Sequence, residues 1–153
     1  MISLSKIKYF ERKLLDKNYE NLESEIQQLK SDEFNHPAIK VIYANSKILK
    51  DNPSTQEKKI AFEIFLEIFK SNPNFINGLY NACVLCLEIK QYDEILNILL
   101  KFIKENKYNS KIYETLYKIY SNLGETERAI FFLKKIISNE PENLDAWSAF
   151  LFL

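Results

Sequence analysis

Few residues in this sequence have types and spacings that could do chemistry. Cys83 and Cys86 stand three apart in Cys83-Val84-Leu85-Cys86, the spacing of a thiol–disulfide redox pair. Redox pairs sit at a helix start, where the dipole lowers a thiol pKa, whereas this pair falls mid-helix at packing positions and reads as two small buried hydrophobes. His36 is the only histidine, so zinc fails on ligand count, and before Pro37 it reads as a loop residue. No nucleophile–base pair can be assembled without a second histidine or a glutamate in a recognisable cleft motif. Gly78 and Gly124 are isolated, so no glycine-rich phosphate loop is present. Glu57, Glu63, Glu67 and Glu94 lie among lysines and read as solvated helix faces. The expectation is a chain with no catalytic residues, no cofactor and no metal.

Composition narrows the classes further. At 153 residues and 46% hydrophobic content the chain has enough apolar side chain for one domain spanning 1–153, without disulfides or metals. Lys+Arg and Asp+Glu both number 21, so no excess positive potential draws phosphate backbones or an anionic membrane face. Nucleic acid is therefore not an expected partner. Met1 to Phe10 carries two lysines and lacks the apolar run of a secretory signal, and nowhere do 18 apolar residues follow one another. Two cysteines three apart are no disulfide framework for a secreted domain. The chain reads as soluble and cytoplasmic, with no membrane span.

The elements that must position any site are helices. Two glycines and four prolines leave few turn formers, which disfavours the many hairpins of an all-β protein. Tyr113, Leu116, Tyr117 and Tyr120, and again Ala129, Leu133, Ile136 and Ile137, fall three and four apart, on one helix face. Asn72-Pro73 and Glu140-Pro141 end helices because proline disfavours α geometry in the residue before it, and Gly124 offers a left-handed turn after a helix. These signals predict helices over roughly 4–15, 19–31, 37–50, 55–71, 75–89, 92–105, 109–122, 125–138 and 143–153.

A repeat underlies the pattern. At an offset of 34 residues Pro73 maps to Lys107 and Pro141, Leu79 to Tyr113 and Trp147, and Ala82 to Leu116 and Phe150. Ala61, Ile95 and Ala129 form another series, then Phe65, Leu99 and Leu133, then Ile68, Phe102 and Ile136. Leu22, Ile26 and Leu29 precede Ala61, Phe65 and Ile68 by 39, which places about five extra residues in Asp51 to Thr55, or partly near Ser31 to His36.

A two-helix unit with this period resembles the tetratricopeptide repeat (TPR). The stretch from Ser110 to Asn143 matches best, with Tyr113 at the early aromatic position, Leu116 and Tyr120 at core positions, Gly124 in the turn, Ala129 at the close helix crossing and Pro141 as terminator. It departs at Tyr117, where the family has a small residue. The preceding repeat has Ile95 at the small crossing position and Lys107 in place of proline. The resemblance implies an all-α, right-handed superhelical solenoid of antiparallel helix pairs, with repeats at about 3–36, 37–75, 76–109 and 110–143 and a terminal helix at 144–153.

It also implies a working surface. The family lines a concave groove with the first helix of each pair, here at Asn77, Tyr80, Asn81, Val84 and Glu88, then Lys111, Glu114, Thr115, Lys118 and Asn122. The implied activity is non-catalytic: an adaptor or scaffold that holds a peptide or protein segment in that groove, with Asn81 able to pair with a peptide backbone beside Tyr80 and Val84. The carboxylate clamp of some family members is not expected, because Thr115 stands where the clamp needs the paired donors of an arginine.

The C-terminal stretch supplies a second expectation. Register calls for a first helix from Leu144, yet Ala149-Phe150-Leu151-Phe152-Leu153 is apolar where a terminal repeat carries a polar face. A longer parent chain or self-association through Trp147, Phe150 and Phe152 would account for it. The alternatives to an adaptor are thus an oligomerisation module built on the apolar C-terminal helix, a homo-oligomer in that case, or the TPR region of a larger enzyme.

Overall fold

The computed structural model describes residues 2–106 and 108–153; Met1 and Lys107 lie outside the described residues, and with Lys107 the comparison of that position with the two prolines. The described residues form ten helices and no strand: α1 Leu4–Leu15, α2 Tyr19–Gln27, α3 Ser31–Phe34, α4 Pro37–Ile48, α5 Thr55–Ser71, α6 Ile76–Ile89, α7 Asp93–Glu105, α8 Ser110–Asn122, α9 Thr126–Asn139 and α10 Leu144–Phe152. No helix among them is long and apolar enough to cross a membrane.

Local chemistry accounts for most of the ends. Ser3, Asn109 and Asn143 cap α1, α8 and α10, each accepting from the backbone N–H three residues on. Ser54 and Glu57 form a reciprocal capping box at α5. Asn72 and Glu140, each before a proline, leave helical geometry at φ −142° and −134° and so end α5 and α9.

One helix differs from its expected span by more than two residues. The helix expected over 19–31 stops at Gln27, and the four-residue α3 follows. A continuous helix would rise about 1.5 Å per residue and carry Phe34 away from α4. With the break, the Phe34 ring meets Tyr43 edge-on at 5.6 Å, and Tyr43 accepts at its hydroxyl from Gln27 Nε2 at 3.0 Å.

The turns between paired helices share one device. The α1–α2, α4–α5, α6–α7 and α8–α9 connections each hold a residue at positive φ: Lys17, Asn52, Lys90 and Gly124. In three of them the next N–H reaches back five residues, Asn18 to Lys13, Gln91 to Cys86 and Glu125 to Tyr120, satisfying carbonyls the helix leaves open. The α4–α5 connection runs over 49–54 where the other two central ones run over 90–92 and 123–125, and Ala61 is the seventh residue of α5 where Ala129 is the fourth of α9. The residues in excess of the repeat lie in this longer connection and in an added turn at the head of α5.

The chain falls into two compact units, Met1–Leu85 and Cys86–Leu153. In the N-terminal unit α4 is the central element, packed on α1, α2, α3 and α5. Phe10, Leu22, Ile26, Ile39, Ile42 and Tyr43 form its buried cluster. Lys47 is buried there as well, which is tolerable because Glu23 accepts its ammonium. Glu23 also takes Lys50 at 3.1 Å, and Lys50 pairs in turn with Glu57 of the capping box. In the C-terminal unit α9 packs on both α8 and α10. The Phe132 ring lies 5.9 Å from Tyr113, edge-on, and 5.6 Å from Tyr120, stacked. Glu140 accepts from Tyr108 Oη at 3.2 Å, Ser110 Oγ at 3.1 Å and Asn143 Nδ2 at 2.8 Å, so one carboxylate joins the end of α9 to the starts of α8 and α10. Those hydrogen bonds, from Asn143 first, hold its pKa below the usual carboxylate value.

Burial keeps the 34-residue offset. Ala61, Ile95 and Ala129 are fully buried, as are Phe65, Leu99 and Leu133.

Two predictions follow from the turns and the cap. A lysine at positive φ carries a strain of about 1–2 kcal/mol that glycine lacks. Lys17→Gly and Lys90→Gly should each raise the denaturation midpoint, and Gly124→Ala, at φ +74°, should lower it, as read by urea unfolding. The Glu57 pKa is held down from its ordinary 4.5 to about 2 by hydrogen bonds from Lys50 and from the Ser54 backbone. A depressed carboxylate stabilises the fold fully above its unfolded pKa and loses that contribution as pH falls through the folded one. The stability difference between wild type and Glu57→Gln should therefore shrink between pH 4.5 and about 2, and an unchanged difference over that window would refute the assignment.

Candidate functional site

The residues expected to line a groove divide between the two units. In the N-terminal unit Asn77, Tyr80, Asn81 and Val84 project from α6 at helical spacings of three and four. Asn77 is exposed, Tyr80 and Asn81 are half-buried, and Val84 is 57% exposed, an apolar side chain standing in water. Leu79, Ala82, Cys83 and Leu85 take the buried side of the same helix. Cys83 and Cys86 are both buried and are not joined in a disulfide.

Gly78 is the one helix-interior glycine, a placement that costs about 1 kcal/mol relative to alanine. A Cβ there would come 2.5 Å from Cδ1 and 2.6 Å from Cε1 of Phe75. The glycine therefore makes room for the Phe75 ring against the first turn of α6. No expectation from spacing pointed to this, since the contact is a matter of how the ring folds back.

In the C-terminal unit α8 carries the remaining expected residues. Lys111 and Lys118 are exposed. Thr115 is buried, and its hydroxyl donates to the Lys111 carbonyl at 2.7 Å, so the structure turns it into the helix rather than toward a ligand. Asn122 is exposed but donates from Nδ2 to the Tyr92 hydroxyl at 3.0 Å, tying the end of α8 to the start of α7.

Two hollows flank α8 in this unit. One, of about 300 Å³, is lined by Leu87 of α6 with Tyr117, Lys118, Ser121 and Asn122. The other, of about 70 Å³, is lined by Glu114, Tyr117 and Lys118 together with Ile136, Asn143, Asp145 and Ala146. Tyr117 and Lys118 border both. The Lys118 ammonium lies 6.0 Å from the centre of the Tyr117 ring, and the Tyr117 pKa is raised, first by burial of the phenol and then by Glu114 and Asp145. Tyr117, a departure from the repeat pattern in the sequence, is thus a wall of both hollows while its ring also packs against Leu133, Ile136 and Ala146.

The three residues expected at an interface behave differently from one another. Phe150 is half-buried against the cluster of Leu133, Ile136 and Ala146, with the Lys134 ammonium 5.8 Å from its ring. Trp147 is part-exposed, donating from Nε1 to the Pro141 carbonyl at 2.9 Å and meeting Phe150 edge-on at 6.4 Å. Phe152 is 89% exposed, and Leu144 and Leu151 are exposed with it. The outward set is therefore Leu144, Trp147, Leu151 and Phe152, and Phe150 belongs to the unit's own core.

His36 caps α4: its Nδ1 accepts from the Ala38 N–H at 3.3 Å. A hollow of about 420 Å³ in the N-terminal unit lies beside that helix and was not anticipated from spacing.

No protein-family model, curated protein or solved structure matches this chain.

Proposed function

We propose that this chain is a non-catalytic binding module of the tetratricopeptide type, a right-handed solenoid of helix pairs that holds a peptide or protein segment along the face of its first helices. The observation that carries this reading is the pair of hollows flanking α8, with Leu87 of the first helix before it on one side and Asp145 and Ala146 of the helix after α9 on the other. Side-by-side first helices with grooves between them are what an extended chain needs, because each groove seats alternate side chains. Tyr117 supplies apolar contact and Lys118 a cation at the shared border, while Tyr80, Asn81 and Val84 offer the same mixture on α6. The 34-residue offset of the buried positions supports the repeat reading. A reducing, cytoplasmic setting suits two buried cysteines that form no disulfide. The same module would serve equally within a larger enzyme.

A second reading has its own observation. α10 presents Leu144, Trp147, Leu151 and Phe152 outward while Ala146, Ala149 and Phe150 face the core, so the helix is apolar on both sides. A helix apolar all round is normally covered. Self-association through α10 is the corresponding function.

The two readings separate experimentally. Peptides selected from a displayed random library on the immobilised chain should lose affinity at least about tenfold with Lys118→Glu or with Tyr80→Ala/Asn81→Ala, the scale of losing one or two central contacts, with helicity unchanged. Binders indifferent to both changes, or none at all, would remove the groove reading. For α10, light scattering across a concentration series should show a dimer that Leu151→Glu/Phe152→Glu dissociates. These two side chains face outward, so their replacement spares the core in a way that replacing Phe150 would not. A monomer at every concentration would eliminate self-association.

A further inference from the structure

The hollow beside α4 carries an inference of its own, which does not rest on the groove reading. Its floor is apolar: Ile42 and Ile68, each all but buried, with Pro37, Ala38 and Val41 of α4 and the ring of Phe75. Its volume, about 420 Å³, lies in the range of about 300–1,000 Å³ typical of sites that take organic ligands. One wall is set deliberately, since Phe75 keeps its place only because Gly78 has no Cβ.

The charges around it are asymmetric. Lys40 is neutralised by Glu67, Nζ to Oε1 at 2.7 Å, and the Lys40 side chain is mostly covered. Glu11, on α1, borders the same hollow as an exposed carboxylate. The lining thus carries two carboxylates against one ammonium, with Glu11 left over. Asn35, Ser71 and Asn72 complete the rim with uncharged polar groups.

We infer that this hollow is a binding site for a protein segment that inserts a large apolar side chain and carries a lysine or arginine within one or two residues of it. The apolar floor takes the side chain out of water, and Glu11 meets the cation at the rim, where a charge contributes to selectivity and association rate more than to total affinity. An acidic segment is disfavoured at the same place, because the surplus carboxylate of Glu11 would repel it.

The test uses the intact chain and two synthetic peptides, acetyl-Lys-Leu-Phe-Lys-amide and its acidic counterpart acetyl-Glu-Leu-Phe-Glu-amide. Methyl NMR signals of Val41, Ile42 and Ile68 should shift saturably with the basic peptide, which should bind at least about fivefold more tightly than the acidic one, as expected for a single exposed charge contact. Glu11→Lys, a change at an exposed helix position, should abolish or reverse that preference while leaving the circular dichroism spectrum intact. Lys118→Glu should leave it unaltered, which keeps this site's outcome separate from that of the face on α8. Absence of methyl shifts at millimolar peptide, shifts without a charge preference, or a preference untouched by Glu11→Lys would each overturn the inference.

Discussion

The longer helices each have an apolar stripe that they cannot cover alone, and the rest of the structure follows from how those stripes are covered. α4 buries its stripe by lying against α1, α2 and α5, and α9 buries its own between α8 and α10. Close packing requires small or fully enclosed residues where helices approach, and Ala44, Ala61, Ala82 and Ala129 are small side chains with complete burial. Within each unit the helices therefore depend on their packed neighbours for burial.

Polar chemistry is arranged around that packing. Glu23, Lys47, Lys50 and Glu57 form a chain of ion pairs that ends in the capping box of α5, so one network both allows a buried lysine and fixes a helix start. In the C-terminal unit Glu140 serves a comparable purpose without a cation, accepting three side-chain hydrogen bonds at the joint of three helices. Glu57 and Glu140 sit at helix boundaries, where the backbone leaves donors and acceptors for side chains to satisfy. They join helix ends to their neighbours.

The surfaces left over are of three kinds. The hollows along α8 mix an aromatic ring, an ammonium and amides; the hollow beside α4 is apolar with one surplus carboxylate; the outer side of α10 is apolar alone. Their chemistries differ, because each draws its lining from different residue types.

What the sequence determined by itself was everything set by local rules. Helix positions, the stops at Asn72 and Glu140, the left-handed turn at Gly124 and the buried series at Ala61, Ile95 and Ala129 were legible because periodicity, proline and glycine act within a few residues. Lys17 and Lys90 at positive φ were not, since nothing about a lysine announces a left-handed turn that its helix pairing imposes. The break after Gln27 came from Phe34 reaching Tyr43, Thr115 was turned inward by its own helix, and Phe150 was separated from Phe152 by which side of α10 meets Leu133. The hollow that joins Glu11 to Phe75 draws on residues 64 positions apart. Only the tertiary structure could decide these, because each depends on a contact between side chains, or on a helix orientation, that the order of residues along the chain does not encode locally.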